Sequence, residues 1–395
     1  MDLTLSQESQ DLLARCREWA VTEGRPFARE ADRAHANPEA TEKVLSTCPL
    51  DVSPLVGEDL GRKEHILHDG RGSNVLACGV MEQFVYGDAY MMAIIPGTGI
   101  GGRVVRLLGT PEQVERWFAP LAAGVYKYTG FALTEPGMGS DTAAVATTAT
   151  RDGDNYILNG AKIFCSGGAI ADFVVVFATI DKTLGGKGIR AFVVDAGTPG
   201  FSVVKPNERK LGMRNMQTSE LNFDNCVVPA ANLLGDPADP TALRTALHTL
   251  GTTRPQATSV SVGVGQAQLD ETRERLAAER ASFAPHRWRA ITEELDRMDA
   301  ALQEARLVIR RAAWRMDQGL DYNADSSMAK AYAGPIGERV ILRCLQLMGS
   351  SGYSEDDLFE KRYRDAKILD IWEGTGNIQR LVVSRSLLTA GPAAL

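Results

Sequence analysis

The chain lacks any Cys-x-x-Cys pair. Its six cysteines, Cys16, Cys48, Cys78, Cys165, Cys226 and Cys344, are scattered, so neither a zinc site nor a disulfide framework is indicated and the thiols read as reduced and mostly buried. There is no surplus of positive charge: 43 Lys and Arg against 50 Asp and Glu leave a net charge of -7. That balance argues against broad nucleic-acid binding, because neutralising phosphates needs a basic surface; local basic sites for a phosphorylated ligand are compatible with it. No apolar run approaches the ~20 residues that span a bilayer. The opening Met1-Asp2-Leu3-Thr4 has neither the basic start nor the apolar core of a secretory signal. The expectation is a cytoplasmic protein with no membrane partner.

What is present is ordinary globular material, 44% hydrophobic and 24% charged over 395 residues, enough for two or three domains with sizeable cores. Residues 5 to 35 carry Leu12, Leu13, Cys16, Trp19 and Ala20 at roughly helical spacing, which predicts an amphipathic surface helix. Residues 36 to 70 show no sustained period and read as loops with short helices. Residues 73 to 123 are helical in pattern, broken at Pro96-Gly97-Thr98-Gly99-Ile100-Gly101-Gly102. Gly97, Gly99 and Gly102 literally satisfy a Gly-x-Gly-x-x-Gly dinucleotide pattern. Pro96 disrupts the strand that should precede it, and no strand-helix-strand alternation surrounds it, so close helix packing is the better reading.

Near Gly130 the period changes. Residues 156–158, 173–177, 189–194, 201–204 and 219–223 are short β-branched or aromatic runs separated by Asp-Gly, Asn-Gly, Gly-Gly and Pro-Gly turns, which predicts an all-β segment that residues 211–214 continue and that ends at Pro229. From about residue 240 the helical period returns in four long stretches, 241–281, 287–319, 323–348 and 376–390, as in a helix bundle. The fold class expected is α+β: an N-terminal helical domain over 1–130, a middle β-barrel or sandwich domain over 131–236, and a C-terminal four-helix bundle over 237–395.

Within the last of these, Ile371-Trp372-Glu373-Gly374-Thr375 interrupts a helical pattern that resumes with Ile378, Leu381, Val382 and Arg385. A carboxylate on a bend anchored from both sides is a good position for a catalytic group. This stretch resembles the acyl-CoA dehydrogenase family, in which an Ile-Tyr-Glu-Gly-Thr run followed by Ile-Gln-Arg carries the catalytic carboxylate. Phe131-Ala132-Leu133-Thr134-Glu135-Pro136-Gly137-Met138-Gly139-Ser140-Asp141 resembles the family's other signature, and the likeness runs from about residue 85 to residue 390.

The resemblance implies FAD, with Glu373 removing a proton from the α-carbon of an acyl thioester. Chemistry requires the cofactor, since no side chain accepts the hydride that leaves the β-carbon. It implies flavin contacts from Phe131, Leu133, Thr134, Gly139, Ser140, Phe164, Ser166, Thr375 and Asn377, with Phe164-Cys165-Ser166 standing where the family has Trp-Ile-Thr. Arg280, Phe283, Gln346, Gly349 and Ser350 would reach the adenine half of FAD on a neighbouring subunit. Ala284 and Ser350 replace glycines of the family's Arg-x-x-Phe-Gly and Gln-x-x-Gly-Gly stretches. Ser140, Arg254, Trp372, Gly374 and Arg385 are expected on the substrate side. Some relatives carry the base before the arginine of Thr253-Arg254-Pro255; Thr253 cannot serve, so Glu373 is the single candidate. The implied partners are an acyl group on CoA or an acyl carrier protein, an electron acceptor such as electron-transfer flavoprotein, and further copies of the chain as a dimer of dimers. Trp372, in place of Tyr, would narrow the pocket toward a short or compact acyl group. A flavin-dependent monooxygenase or oxidase, and a non-catalytic flavoprotein, remain open as other uses of such a fold.

Overall fold

The computed structural model describes residues 1–35, 38–50, 73–94 and 99–390. Gly97 and most of the 36–70 stretch lie outside these. The first helical pattern resolves into two helices. Helix α1 (Gln7–Trp19) is capped by Ser6, whose Oγ accepts from the Ser9 amide. A wide turn over Ala20–Gly24 then leads into α2 (Arg25–Ala34). Pro26 has no amide to donate and fits only the first turn of a new helix, which is where it stands. Cys16, Trp19 and Ala20 are buried against Leu76, Phe84 and Met91 while Glu8, Asp11 and Arg15 are exposed, the two faces of an amphipathic helix.

Helix α3 (Pro38–Leu45) follows, then α4 (Asn74–Phe84), α5 (Met91–Ile94), α6 (Gly99–Leu108) and α7 (Pro111–Ala122). The glycines of α6 serve close packing. Gly102 donates to Thr129 Oγ1 at 3.3 Å, and a Cβ on Gly101 would strike the Gly130 carbonyl.

Among the described residues seven strands form one curled sheet: β1 (Thr129–Ala132), β2 (Thr148–Asp152), β3 (Asn155–Ser166), β4 (Phe173–Thr179), β5 (Ile189–Asp195), β6 (Phe201–Lys205) and β7 (Thr218–Pro229). The order is β1-β4-β2-β3-β7-β6, with β5 also on β4. Strand β4 is buried along its whole length, which its unbroken apolar run requires. Phe173, Val175 and Phe177 face a core shared with α6 and α7, while Val174, Val176 and Ala178 face β3 and β7.

Residues 211–214, expected to extend this sheet, instead form a turn. Met213 has φ 47°, Gly212 lies against the Arg364 backbone so closely that no Cβ would fit, and the Met213 amide donates to Asp365 Oδ1 at 2.5 Å. Left-handed backbone cannot pair in a ladder.

The C-terminal region comprises α8 (Ala242–Ala278), α9 (Pro285–Asp317), α10 (Asn323–Tyr353), a short α11 (Phe359–Ala366), a 3₁₀ turn (Lys367–Asp370) and α12 (Gly376–Ala390). Helix α8 is buried on nearly all sides through residues 257–269, as the centre of such an assembly must be. Small residues allow this: Gly263 packs on the Glu82 carbonyl of α4 and Gly337 on Ser261. Pro255 removes one helical bond from α8, and the acceptor it leaves, the Gly251 carbonyl, takes a hydrogen bond from Ser326 Oγ at 2.7 Å.

One buried charge cluster ties the regions together. Lys361 Nζ lies 2.7 Å from Asp88 Oδ2 and 2.6 Å from Asp365 Oδ2, so α11 is joined to the α4–α5 connection and, through Asp365, to the turn at Met213. Removing the cation would strand two buried carboxylates. Lys361→Met is therefore expected to lose about 3–5 kcal/mol of unfolding free energy, read from the shift in denaturant midpoint; a loss under ~1 kcal/mol would mean that the cluster is not holding the regions together.

Candidate active site

The bend after α11 is built from two consecutive left-handed residues, Glu373 (φ 57°) and Gly374 (φ 85°). Left-handed backbone is uncommon for a residue with a side chain and persists where neighbours over-determine it. Here the Glu373 carbonyl accepts from Arg254 Nε of α8 at 3.2 Å and from Gln379 Nε2 of α12 at 3.2 Å. Gln379 Nε2 also donates to the Gly374 carbonyl at 3.1 Å. Upstream, Lys330 Nζ of α10, fully buried, donates to the Leu369 carbonyl at 2.6 Å. Downstream, Thr375 Oγ1 accepts from the Ile378 amide at 3.3 Å and starts α12. Gly376 leaves room for the Asp370 carboxylate, which a Cβ there would displace.

The Glu373 side chain points to α8, where Thr253 Oγ1 lies 2.9 Å from Oε2. Burial pushes its pKa above the ordinary carboxylate range, opposed by the Thr253 hydrogen bond and by the charges of Arg254, Lys330 and Arg103. The residue as a whole is half-buried; the carboxylate is its inner end. Burial likewise depresses Lys330, to about 8, against the pull of Asp370 and Glu373.

The second signature lies along the end of β3. Lys162, fully buried, places Nζ 2.7 Å from Glu135 Oε1 and 3.0 Å from the Leu133 carbonyl. Glu135 also accepts from the Ala146 and Thr147 amides at 2.8 and 2.9 Å. The Ile163 amide donates to the Thr134 carbonyl at 2.9 Å, which lays Thr134 beside Phe164. A register shift between Lys162 and Cys165 and a φ of 54° turn Phe164 outward, where it is 58% exposed. Ser166, Gly139 and Ser140 are exposed as well, and nothing stands within 4 Å of a Cβ built on Gly137 or Gly139. Phe131 and Leu133 differ from these: Phe131 packs on Phe177 with centroids 5.5 Å apart, and the Leu133 side chain is in the core.

The two signatures meet across residues 213–218. Thr218 pairs with Ser166, Gly167 donates to the Gln217 carbonyl, and Met213 and Met216 pack in the cluster that holds Trp372. Trp372 thus sits with Met81, Met92 and Met216 against that core. Its Nε1, like Gln217 Oε1, is buried without a hydrogen-bond partner among the described residues.

The other expected site residues are elsewhere. Arg280 donates to the Phe283 carbonyl at 3.1 Å and lies over Trp288, with Phe283 at the same corner. Gln346 accepts from Arg343 Nη1 at 3.1 Å, and Gly349 (φ 59°) and Ser350 are exposed near the end of α10. Arg254 and Arg280 stand 26 residues apart, about 39 Å at the rise of a helix, so the Arg280 corner of a chain lies far from its own Glu373. Asn377 accepts from Arg380 at 3.1 Å on the exposed face of α12, and Arg385 is exposed farther along it. Sequence reasoning missed Lys330, Gln379 and the Glu135–Lys162 pair. The available signal was a lysine in an otherwise small, apolar stretch of α10 and another in the alternating pattern of β3.

Comparison with known proteins bears on this geometry directly. Residues 130–226 match the model of the acyl-CoA dehydrogenase middle domain and residues 243–388 that of its C-terminal domain. The chain belongs to the acyl-CoA dehydrogenase family. The mitochondrial short-chain specific acyl-CoA dehydrogenase of Bos taurus is 37% identical over 97% of this chain and 91% of its own length. Butyryl-CoA dehydrogenase of Megasphaera elsdenii superposes with a TM-score of 0.87 at 30% identity, covering 98% of this chain and all of that one (100%). A chain described as electron transferring flavoprotein of Acidaminococcus fermentans superposes with a TM-score of 0.84 at 29% identity, over 98% and 100% of the two chains.

In this chain the signature loop is held by the buried carboxylate of Glu135. Glu135→Ala is expected to speed amide hydrogen exchange at Ala146 and Thr147 by at least about tenfold, the equivalent of one charge-assisted hydrogen bond. Unchanged protection there would show that Glu135 does not fix the loop.

Proposed function

We propose that the protein is an FAD-dependent dehydrogenase that introduces an α,β double bond into a short acyl thioester. The observation that carries this is Glu373: a carboxylate on a left-handed bend, its backbone carbonyl clamped from two helices, and its Oε2 met by a hydroxyl and not by the nearby cations. Such a group is fixed in direction yet still able to take a proton.

The residues present fit the cofactor. Phe164 offers an outward aromatic face, Thr134 and Ser166 supply hydroxyls beside it, and Gly137 and Gly139 leave room for backbone approach. Gln217 Oε1 and Trp372 Nε1 are an unpaired acceptor and donor between that face and the bend. Bound FAD would accept the hydride that leaves the β-carbon. Glu373 takes the α-proton, and an acyl chain entering beside it expels water and strengthens it further as a base. Ser140 on the exposed loop suits a phosphate or pantetheine, while Arg254 supports the bend and keeps a positive charge near the base.

The short-chain reading rests on Trp372, which precedes Glu373 in the chain and packs with Met81, Met92 and Met216, and on the short-chain and butyryl specificities named for the relatives. The thioester is on CoA or an acyl carrier protein, in the cytoplasm, and the reduced cofactor passes its electrons to an acceptor such as electron-transfer flavoprotein. The chain divides into segments 1–130, 131–236 and 237–395. Arg280, Phe283, Gln346, Gly349 and Ser350 serve the adenine half of FAD on a neighbouring subunit, a reading that the ~39 Å of helix between Arg254 and Arg280 supports, and the assembly is a dimer of dimers.

Glu373→Gln is expected to bind FAD and butyryl-CoA as the parent does while flavin bleaching in anaerobic stopped flow slows about 10²–10⁴-fold, the usual worth of a positioned base. Reduction at the parent rate would remove Glu373 from the role. Across a chain-length series, activity should peak at short acyl groups and move toward longer ones in Trp372→Tyr. A parent optimum at long straight chains, unmoved by the substitution, would refute the role given to Trp372.

A further inference from the structure

Thr253 occupies a position with no acid–base role of its own, yet its hydroxyl has two neighbours. Oγ1 is 3.1 Å from the Leu250 carbonyl, one turn back along α8, and 2.9 Å from Glu373 Oε2. A hydroxyl carries one proton and can also accept, so the two contacts are made in complementary ways. When Glu373 is ionised, Thr253 donates to Oε2. When the carboxyl is neutral with its proton on Oε1, Oε2 still accepts from Thr253; only a proton on Oε2 would point to Oγ1 and turn the Thr253 proton to Leu250. Thr253 is 8% exposed, so water does not readily take its place.

The neighbouring cations are otherwise engaged. Arg254 Nε, from α8, donates to the Glu373 carbonyl, and Lys330 Nζ, from α10, donates to the Leu369 carbonyl. With Arg103 of α6 their charges act on the carboxylate. Thr253 supplies its directional contact.

We infer that Thr253 is a positioning residue for the dehydrogenation: it fixes Oε2 in both protonation states, turns Oε1 toward the α-carbon, and favours the ionised base before the reaction. In the step itself the α C–H bond breaks, its proton goes to Oε1, and its electron pair forms the new double bond, with bound FAD supplying the acceptor that the hydride leaving the β-carbon would need. This rests on the reading of Glu373 as the base. A charge-assisted bond counts for more than a neutral one, so its removal adds to the upward push of burial on Glu373.

The test is anaerobic flavin reduction of the FAD holoenzyme by butyryl-CoA as a function of pH, in the parent, Thr253→Val, Thr253→Ser and Glu373→Gln. The midpoint in Thr253→Val should rise by about one pH unit, slowing reduction roughly tenfold below the midpoint and letting the curves converge above it. Thr253→Ser should restore the parent midpoint. Should Thr253→Val not retain FAD, Thr253→Ala gives the same readout with less bulk. Superimposed profiles for the parent and the hydroxyl-free variant, or an equal shift in Thr253→Ser, would overturn the inference while Glu373→Gln remained inactive. An active Glu373→Gln would instead overturn the assignment of the base.

Discussion

The backbone carbonyl of Glu373, held by Arg254 Nε and Gln379 Nε2, is the constraint around which the site is arranged. A left-handed glutamate costs on the order of 1–3 kcal/mol, and two side-chain donors on separate helices can offset it. Because the donors sit on α8 and α12, the bend keeps its shape only while those helices keep their packing. The choice of neighbours follows from this. Gly374 tolerates the second left-handed position beside Gln379, and Gly376 leaves room for Asp370 where α12 begins.

Charge is managed by distance. Arg254, Lys330 and Arg103 lie near enough to moderate the effect of burial on Glu373, while the hydrogen bonds of Arg254 and Lys330 go to main-chain carbonyls. A cation paired directly with the carboxylate would hold it ionised and reduce its basicity. The Lys361 cluster with Asp88 and Asp365 does the opposite job: there the ions are paired outright and serve to bind the three regions. On the proposed reading, the same chemical groups act as base or as fastening according to whether their charge is satisfied.

Much of the fold was legible because its periods are clean. The four long bundle helices and the five apolar β-runs appear in the chain where their spacing puts them. The turn at 211–214 was not legible, because Gly212 and Met213 are shaped by contacts with Arg364 and Asp365, about 150 residues away. Glu373 could be found from its motif, as could the loop at Thr134. Lys330 and Lys162 left only the trace of a lysine in an apolar or alternating stretch and Gln379 left none, since each acts on a main-chain carbonyl or a carboxylate that is distant in sequence or turned by the bend. Thr253 was visible only as the place where a carboxylate is absent; its use depends on the 2.9 Å approach of Glu373.

The central claim is that Glu373 removes the α-proton in the same reaction that takes hydride from the β-carbon. It is tested most directly by anaerobic flavin reduction with butyryl-CoA deuterated separately at the α- and β-carbons. Breaking both bonds predicts a slower reduction with either label. A β-effect with no α-effect would contradict the account, because the proton assigned to Glu373 would then not be in flight when the cofactor is reduced.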